Sequence, residues 1–411
     1  MNVNIERLYN RLTELGRIGQ VSDTGVNRFA FTKEDKEAQK LVTKWMEEAG
    51  MQVKHDNFGN LIGRKEGNRP ELPVVMMGSH IDTVPNGGRF DGTLGVIGAI
   101  EVVQVLMENN LQHDHPIEIV AFSDEEGTRF SDGLFGSRGM VGLVTENDLR
   151  LKDSDGITRY DAIKSFGFNI NPEQYKASVR KRGEIKLYFE MHIEQGPYLQ
   201  AQNKSVGIVK GIAGPVWLNI RITGEAGHAG ATPMHLRKDP MNGAAEIIAE
   251  IERVCHNDSA STLVGTVGRI NAFPGGRNVI PDSVEFTVDI RDIDEQKRTQ
   301  AIELIDDKLK KICRERALDG EIEVLQEIEP VMCSQEIIES LEQESHRLNL
   351  DAPVMMSGAG HDAMFLEQIT DIGMIFVRCK DGISHSPKEW VSKEDILDGT
   401  LLLLNTIQRY I

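Results

Sequence analysis

Three short, mainly apolar segments in the first half of the chain are each followed within three residues by histidine or acidic residues. In chain order these are residues 73–77 with His80, residues 117–122 with Asp124-Glu125-Glu126, and residues 186–191 with His192. Apolar runs of this length, alternating with helical patterns, predict buried strands in an α/β fold. Because sites in open α/β sheets form beyond the carboxyl ends of the strands, we expect these polar side chains to meet in one site.

The strand and helix patterns divide the chain into two predicted domains. Apolar residues at helical spacing predict helices at 32–50 and 94–107. After about Gly211 the order becomes strand, helix, strand, strand, helix, at 216–223, 241–254, 262–270, 283–291 and 294–316. This order suits a small ferredoxin-like α/β sandwich inserted into a larger domain. We therefore predict an α/β fold, with a mixed sheet flanked by helices at 1–212 and 330–411, and an inserted domain at 213–329.

The charge balance argues against nucleic acid as a partner. The 411 residues carry a formal net charge of −18, and the compact basic cluster is limited to Arg180-Lys181-Arg182, whereas nucleic-acid binders present a basic patch or stripe. An acidic excess can also reflect clustered carboxylates that need cations.

No uninterrupted apolar run approaches about 18 residues, which argues against a membrane span, and we expect no signal peptide. The four scattered cysteines are typical of a reduced, cytoplasmic protein.

A set of histidines and carboxylates forms a candidate metal site. Its members are His80, Asp91, Glu126, His192 and His385. Asp91 precedes a predicted helix, so it could alternatively be the N-cap of that helix. Asp82 could accept the second ring proton of His80. Nitrogen and oxygen ligands suit Zn, Mn, Co or Ni, one bridging carboxylate can hold two ions about 3.5–4 Å apart, and Glu125 would remain as a general base toward water.

Five motifs give the chain a specific resemblance. They are Gly78-Ser79-His80-Ile81-Asp82-Thr83-Val84, Asn86-Gly87-Gly88-Arg89-Phe90-Asp91-Gly92, Asp124-Glu125-Glu126-Gly127-Thr128-Arg129-Phe130, His192-Ile193-Glu194-Gln195-Gly196 and Gly382-Ile383-Ser384-His385-Ser386-Pro387. In this order they resemble the dinuclear metal hydrolases of the M20 family, in its branch of N-carbamoyl-L-amino acid hydrolases and allantoate amidohydrolases. The resemblance implies two divalent metal ions per subunit, bridged by Asp91 and otherwise held by His80, Glu126, His192 and His385. It also implies Glu125 as the catalytic base, supported by Asp82.

The inserted domain carries residues to which the resemblance assigns substrate binding. His228 is implied to reach the active site of the partner subunit of a homodimer and to stabilise the oxyanion there. Asn278 and Arg291 are implied to hold the substrate carboxylate, although from the residues alone Arg291 could equally be the solvated end of a strand. Gln195 and Gly360 of the larger domain are implied as further substrate contacts. The inserted domain is therefore expected to act as a lid and a dimerisation domain.

The predicted function is hydrolysis of the ureido C–N bond of N-carbamoyl-L-amino acids, which releases the amino acid, ammonia and carbon dioxide. The stretch Gly211-Ile212-Ala213-Gly214-Pro215-Val216-Trp217 resembles the carbamoyl-amino-acid enzymes more than the allantoate enzymes. Allantoate is the first alternative substrate, and an M20 exopeptidase acting on dipeptides is the second alternative. A metal-storage or ligand-binding protein is the alternative outside the enzymes. Glu125 argues against it, because a binding protein does not need a spare base beside its ligands.

Overall fold

The computed structural model describes residues 2–256 and 262–411. The chain divides into two compact units. The larger unit contains the residues up to Lys210 together with Cys333–Ile411, and the smaller unit is Gly211–Met332. The smaller unit extends two residues before and three residues after the predicted insertion at 213–329.

Strands and helices alternate along most of the described chain. The strands are β1 (Gln52–His55), β2 (Leu61–Lys65), β3 (Val74–His80), β4 (Ile117–Phe122), β5 (Ile185–Ile193), β6 (Val206–Ile212), β7 (Gly214–Thr223), β8 (Gly227–His228), β9 (Val264–Phe273), β10 (Val279–Ile280), β11 (Ser283–Asp292), β12 (Asp319–Glu327), β13 (Val331–Met332), β14 (Val354–Ser357) and β15 (Asp371–Val377). The α-helices are α1 (Ile5–Leu15), α2 (Lys33–Glu48), α3 (Thr93–Glu108), α4 (Phe135–Met140), α5 (Glu146–Arg150), α6 (Arg159–Phe166), α7 (Tyr198–Ala201), α8 (Pro240–Cys255), α9 (Glu295–Arg316), α10 (Gln335–Arg347), α11 (Ala363–Leu366) and α12 (Lys393–Ile407). None of these described helices is long and apolar enough to cross a membrane.

A mixed sheet forms the centre of the larger unit, with strands in the order β1-β2-β4-β3-β5-β15-β6. The four central strands run parallel, and the outer pairs are antiparallel. Every residue of β3 and β4 is buried, as expected for parallel strands covered on both faces. Helices flank the sheet, so the predicted mixed α/β architecture is confirmed.

Helix α3 is buried along almost its whole length because its sequence is apolar on all sides. It packs against β3, β4 and β5 and against α12. The helix starts at Thr93, so the two residues before it, Asp91 and Gly92, lie at the edge of the sheet where β3 ends. The more amphipathic α2 shows the predicted stripe, with Ala38, Val42 and Trp45 buried.

The smaller unit is built on a four-stranded antiparallel sheet with the order β12-β7-β11-β9. With α8 and α9 the chain order is βαββαβ, which is the order of a ferredoxin-like sandwich. The inward side chains of β11 pack in a core with residues of both helices, whereas Asp289 and Arg291 lie on the other face. The sequence prediction lacked β12, because almost all of its residues are exposed and it shows little apolar alternation.

Candidate metal centre

Two histidines project from the carboxyl ends of neighbouring parallel strands. His80 is the last residue of β3, and His192 lies near the end of β5. Both are buried, and their ring centroids lie 5.7 Å apart. Nδ1 of His80 is 3.2 Å from the carbonyl oxygen of Asp82, and Nδ1 of His192 is 2.9 Å from the carbonyl oxygen of Ile193. Each ring therefore donates its Nδ1–H to the backbone and presents Nε2 to the site, the orientation expected of a metal-binding histidine.

Asp82 orients the site in a different way from the one predicted. Its carboxylate lies 3.7 Å from Nδ1 of His80, which is too far for a hydrogen bond. The two carboxylate oxygens instead accept hydrogen bonds from the backbone N–H groups of Glu125 and Glu126, at 3.2 and 3.1 Å. The side chain of Asp82 therefore holds the acidic loop after β4, while its backbone carbonyl orients His80.

Asp91 lies between His80 and His192 on one side and His385 on the other. Its Oδ1 lies 3.2 Å from Nε2 of His192 and 3.6 Å from Nε2 of His80. Its Oδ2 lies 3.4 Å from Nε2 of His385. Each oxygen faces a different group of side chains, as a carboxylate that bridges two ions must. The N-cap of α3 is Gly92, with no side-chain cap, so the alternative that Asp91 caps this helix is wrong.

Gly92 allows the Asp91 loop to approach His80 closely. Its φ of +63° lies in the left-handed region that favours glycine. A Cβ atom at this position would lie 2.3 Å from Nε2 of His80. Glycine is therefore required here on two grounds, backbone conformation and space for the imidazole.

Glu125 and Glu126 complete the cluster from the loop after β4. Oε2 of Glu125 lies 3.6 Å from Nε2 of His80, and Oε2 of Glu126 lies 3.7 Å from Nε2 of His385. Burial, together with the charge of Glu126, raises the pKa of Glu125 well above its ordinary value. Burial and the charge of Asp91 likewise raise the pKa of Glu126. Negative charge crowded in this way is costly, and divalent cations would relieve the cost.

The described residues contain three overlapping groups that could hold a metal ion. They are His80 with Asp91 and His192, His80 with Glu125 and Glu126, and Asp91 with Glu126 and His385. In each group the candidate ligand atoms lie within 4.8 Å of one another. The first and third groups share only Asp91, and all the donors are nitrogen or oxygen. The residues present therefore fit a pair of divalent ions bridged by Asp91.

The histidines of the cluster differ in their protonation without metal. Burial lowers the pKa of His80 to about 3, so its ring is neutral near pH 7. For His192, burial opposes protonation, but the charge of Asp91 outweighs it and raises the pKa to about 9. A hydrogen bond to Asp91 also raises the pKa of His385. A metal ion that binds His192 must therefore displace the proton that Asp91 favours on this ring.

Two further polar side chains hold the second oxygen of Asp91. Nε2 of Gln195 donates to Oδ2 at 2.8 Å and lies 3.3 Å from Nε2 of His385. The hydroxyl of Ser384 donates to the same oxygen at 2.6 Å. Gln195, predicted as a substrate contact, thus lies within the cluster, and Ser384 is a site residue that the sequence reasoning did not single out.

The sequence analysis also did not predict a group of buried polar side chains near His192, namely those of Glu190, Ser357 and His361. The ring of His361 lies edge-on to His192 with centroids 4.6 Å apart, and its Nε2 is 2.8 Å from the hydroxyl of Ser357. Glu190 is buried two residues before His192 on β5. Residues two apart on a strand share a face, so an acid at this spacing was an available signal. Gly360, predicted as a substrate contact, is exposed and directly precedes His361.

In the smaller unit, a short two-stranded ribbon brings His228 and Asn278 together. Strand β8 pairs with β10, and the N–H of Ala229 donates to the carbonyl oxygen of Asn278 at 3.0 Å. Nδ1 of His228 accepts hydrogen bonds from the N–H groups of Gly230 and Ala231, at 3.1 and 3.2 Å. Since Nδ1 is an acceptor, the neutral ring carries its proton on Nε2. His228 is therefore an exposed hydrogen-bond donor.

Arg291 is held by Asp289 on the outer face of the small sheet. Nε and Nη2 of Arg291 donate to the two carboxylate oxygens of Asp289 at 2.9 and 2.8 Å. The indole Nε1 of Trp217, which is opposite Asp289 in the sheet, donates to the same carboxylate at 3.1 Å. The bidentate bond fixes the plane of the guanidinium. The sequence predicted the shared face of Asp289 and Arg291 but not this bond.

An α/β sheet whose parallel strand ends carry a two-part cluster of histidines and carboxylates is typical of metal-dependent hydrolases. Within that class, the chain belongs to the Peptidase family M20/M25/M40, whose sequence model matches residues 76–409. All the candidate ligands lie within the matched residues. The family predicted from the five motifs is therefore confirmed.

Named relatives align with nearly the whole chain. An N-carbamoyl-L-amino-acid amidohydrolase from Pseudomonas sp. (strain NS671) is 57% identical over 411 residues, which cover 100% of this chain and 99% of the relative. An enzyme of the same name from Geobacillus stearothermophilus is 46% identical, over 98% of this chain and 97% of its own. An allantoate deiminase from Arabidopsis thaliana is more distant, at 37% identity over 97% of this chain and 81% of the relative. Among solved structures, an amidase of the hydantoinase/carbamoylase family from Burkholderia multivorans superposes with a TM-score of 0.93 at 35% identity, covering 99% of this chain and 97% of that one.

Proposed function

We propose that this protein hydrolyses the ureido C–N bond of N-carbamoyl-L-amino acids with the help of two divalent metal ions. The observation that carries the proposal is the cluster around Asp91, in which each carboxylate oxygen faces a different set of ligands and Glu125 stands beside them. The relative named N-carbamoyl-L-amino-acid amidohydrolase, which is 57% identical over the full chain, supports the substrate class.

Glu125 and Asp82 have different roles in the proposed reaction. Divalent ions bound here would supply Lewis acidity toward the carbamoyl oxygen and make water more acidic. Glu125 takes a proton from the attacking water and delivers it to the departing nitrogen of the amino acid. Asp82 keeps Glu125 in place through its hydrogen bond to the Glu125 backbone N–H. The other product, a carbamate, decomposes to ammonia and carbon dioxide.

The smaller unit is proposed to complete the site as a lid and to mediate a homodimer. In this proposal His228 acts in the site of the partner subunit, where its Nε2–H would donate to the oxygen that gains negative charge during the attack. Arg291 and Asn278 would bind the carboxylate of the substrate. The exposed Nε2–H of His228 and the fixed plane of the Arg291 guanidinium support these roles.

A substrate panel on metal-loaded protein tests the proposed function. The panel contains N-carbamoyl-L-amino acids, their D-enantiomers, allantoate, ureidoglycine and dipeptides, and ammonia and free amino acid are measured separately. Hydrolysis of the N-carbamoyl-L-amino acids with the highest kcat/KM is the expected result. Faster hydrolysis of allantoate would move the protein to the first alternative, and release of amino acids from dipeptides would make it an exopeptidase. Binding of metal and ligand without any turnover would favour the non-enzymatic alternative.

Arg291→Ala is expected to lower kcat/KM for N-carbamoyl-L-amino acids about 10- to 100-fold. A hydrogen bond to a charged group contributes roughly 1.5–3 kcal/mol, and about 1.4 kcal/mol corresponds to a factor of ten. The preference for the free acid over its amide should fall as well, which steady-state kinetics on both compounds measures.

Two further variants show whether Arg291→Ala lowers activity through weaker substrate binding or through a disturbed sheet. Arg291→Ala leaves Asp289 without this partner, so the double variant with Asp289→Ala is also measured, and it should remain impaired. Arg221→Ala, which removes an exposed arginine paired with Glu285 in the same unit, should behave as wild type. An Arg291→Ala enzyme with unchanged preference for the acid over the amide would contradict the proposed role.

His228→Ala and Glu125→Gln are expected to be nearly inactive alone and to regain activity in mixed dimers. If His228 serves the partner's site, a dimer with one lesion in each subunit contains one site that escapes both. Activity of purified, differently tagged heterodimers measures this effect. A heterodimer of Glu125→Gln with Glu126→Gln is the control and should stay inactive, because each of its sites keeps one lesion. Absence of complementation in verified His228→Ala heterodimers would show that His228 does not act across subunits.

A further inference from the structure

Glu389 connects the loop of one candidate ligand to the segment of another. It lies four residues after His385 and is 3% exposed. Its Oε1 accepts hydrogen bonds from the backbone N–H groups of Phe90 and Asp91, at 2.8 and 3.2 Å. These contacts join residues that are 299 and 298 positions apart in the sequence. The backbone that leads into Asp91 is thus tied to a single buried side chain.

The other groups around Glu389 support the same connection. The hydroxyl of Ser384, which holds Oδ2 of Asp91, also lies 3.4 Å from Oε2 of Glu389. The backbone N–H of Glu389 donates to the carbonyl oxygen of Ser386 at 3.0 Å and closes a turn just after His385. A Cβ atom on Gly88 would lie 2.0 Å from the carboxyl carbon of Glu389. Space for this carboxylate is therefore left by the glycine-rich loop itself.

His385 is the candidate ligand that most needs such support. Its side chain is 49% exposed, whereas those of His80 and His192 are 2% exposed. Its φ of 53° lies in the left-handed region, which non-glycine residues keep only where their surroundings fix them. His80 and His192 are positioned by strands, but His385 lies in a loop after β15.

We propose that Glu389 is a positioning residue that sets the distance between Asp91 and His385 and thereby forms the second metal position. The inference rests on the metal pair of the proposed function. It predicts that the ion position made by Asp91, Glu126 and His385 depends on Glu389, whereas the position made by His80, Asp91 and His192 depends on it much less. The carboxylate acts as a hydrogen-bond acceptor for two backbone N–H groups, so a glutamine can replace it, whereas an alanine leaves both groups without an acceptor.

Metal titration of the full-length, metal-free protein tests this role without relying on catalysis. Zn²⁺ or Co²⁺ is added to wild type, Glu389→Ala, Glu389→Gln and Gly88→Ala, and binding is followed by calorimetry, by metal analysis after dialysis and by the visible spectrum of bound Co²⁺. Glu101→Ala is the control for loss of a buried carboxylate, since Glu101 pairs with Arg7 outside the cluster. Unfolding is measured for each variant by circular dichroism.

Wild type is expected to bind two ions per chain. Glu389→Ala should keep one affinity and weaken the other about 10- to 100-fold, the usual effect of losing a group that orients metal ligands. Gly88→Ala should do the same by displacing the carboxylate, and Glu389→Gln and Glu101→Ala should bind like wild type. If Glu389→Ala does not fold, Gly88→Ala and Glu389→Gln provide the same contrast.

Two results would overturn the inference while leaving the metal pair intact. One is wild-type affinity for both ions in Glu389→Ala and Gly88→Ala. The other is a Glu389→Gln protein that binds as weakly as Glu389→Ala, which would mean that the charge of Glu389, and not its acceptor role, holds the site. Fewer than two ions in wild type would instead refute the proposed metal pair itself.

Discussion

Glu125→Gln is expected to lower kcat by about 10²- to 10⁴-fold while the protein still binds two metal ions. This range is typical for loss of a general acid–base group. Glutamine keeps the size of the side chain and leaves the backbone N–H of residue 125 free to donate to Asp82 as before. It cannot take a proton from water, however. The measurements are kcat on the best substrate of the panel and metal content of the same sample.

Glu126→Gln is the matched control for this variant, because the two acids are adjacent and both face the cluster. Glu126 lies near His385 and groups with Asp91, so its replacement should weaken metal binding as well as activity. Glu125 also lies 3.6 Å from His80, which makes an exchange of roles a definite outcome to look for. Loss of an ion from Glu125→Gln but not from Glu126→Gln would exchange the two assignments. Normal turnover by a Glu125→Gln enzyme with both ions bound would show that Glu125 is not the base.

Removal of the metal ions is expected to abolish activity and leave most of the fold intact. The ligands lie at strand ends and loops around a sheet in which β3 and β4 are fully buried, so we expect the hydrophobic core to persist without the ions. Activity and far-ultraviolet circular dichroism are measured after dialysis against EDTA and after addition of Zn²⁺, Mn²⁺, Co²⁺ or Ni²⁺.

The melting temperature should also fall on removal of the ions and rise again with metal concentration. Two effects have the same sign here: the bound ions stabilise the folded state by mass action, and without them the buried carboxylates of Asp91, Glu125 and Glu126 repel one another. EDTA saturated beforehand with Ca²⁺ is the control for effects of the chelator itself. An enzyme verified to be metal-free that still turned over substrate would refute the metal requirement. Loss of the circular dichroism signal would show that the ions are structural.

The approximate positions of most candidate ligands were predictable from local sequence. A mainly apolar run such as 117–122 predicts a buried strand in an α/β fold, and the polar residues that follow are then expected at the edge of the sheet. The same reasoning applied to residues 73–77 and 186–191, and β3, β4 and β5 occur there. The apolar alternation of β11 likewise predicted which side of the strand faces the core and which carries Arg291.

The partners within the cluster were not predictable in this way. Local spacing suggested that the carboxylate of Asp82 orients His80, but its oxygens are taken by the backbone of the acidic loop, which approaches only when β3 and β4 pair. Asp91 was ambiguous between ligand and helix cap, because both roles suit an acid before a helix. In the structure Gly92 is the N-cap of this helix, and the side chain of Asp91 lies beside the histidines instead.

Local sequence alone establishes the α/β class, the strand ends that carry the chemistry and the family, because periodicity and short motifs are properties of neighbouring residues. Tertiary contacts alone establish that Glu389 holds the Asp91 loop and that His361 packs on His192. Both contacts join segments that are far apart in the chain. Such contacts arise only after the sheet has formed, so no spacing in the chain encodes them.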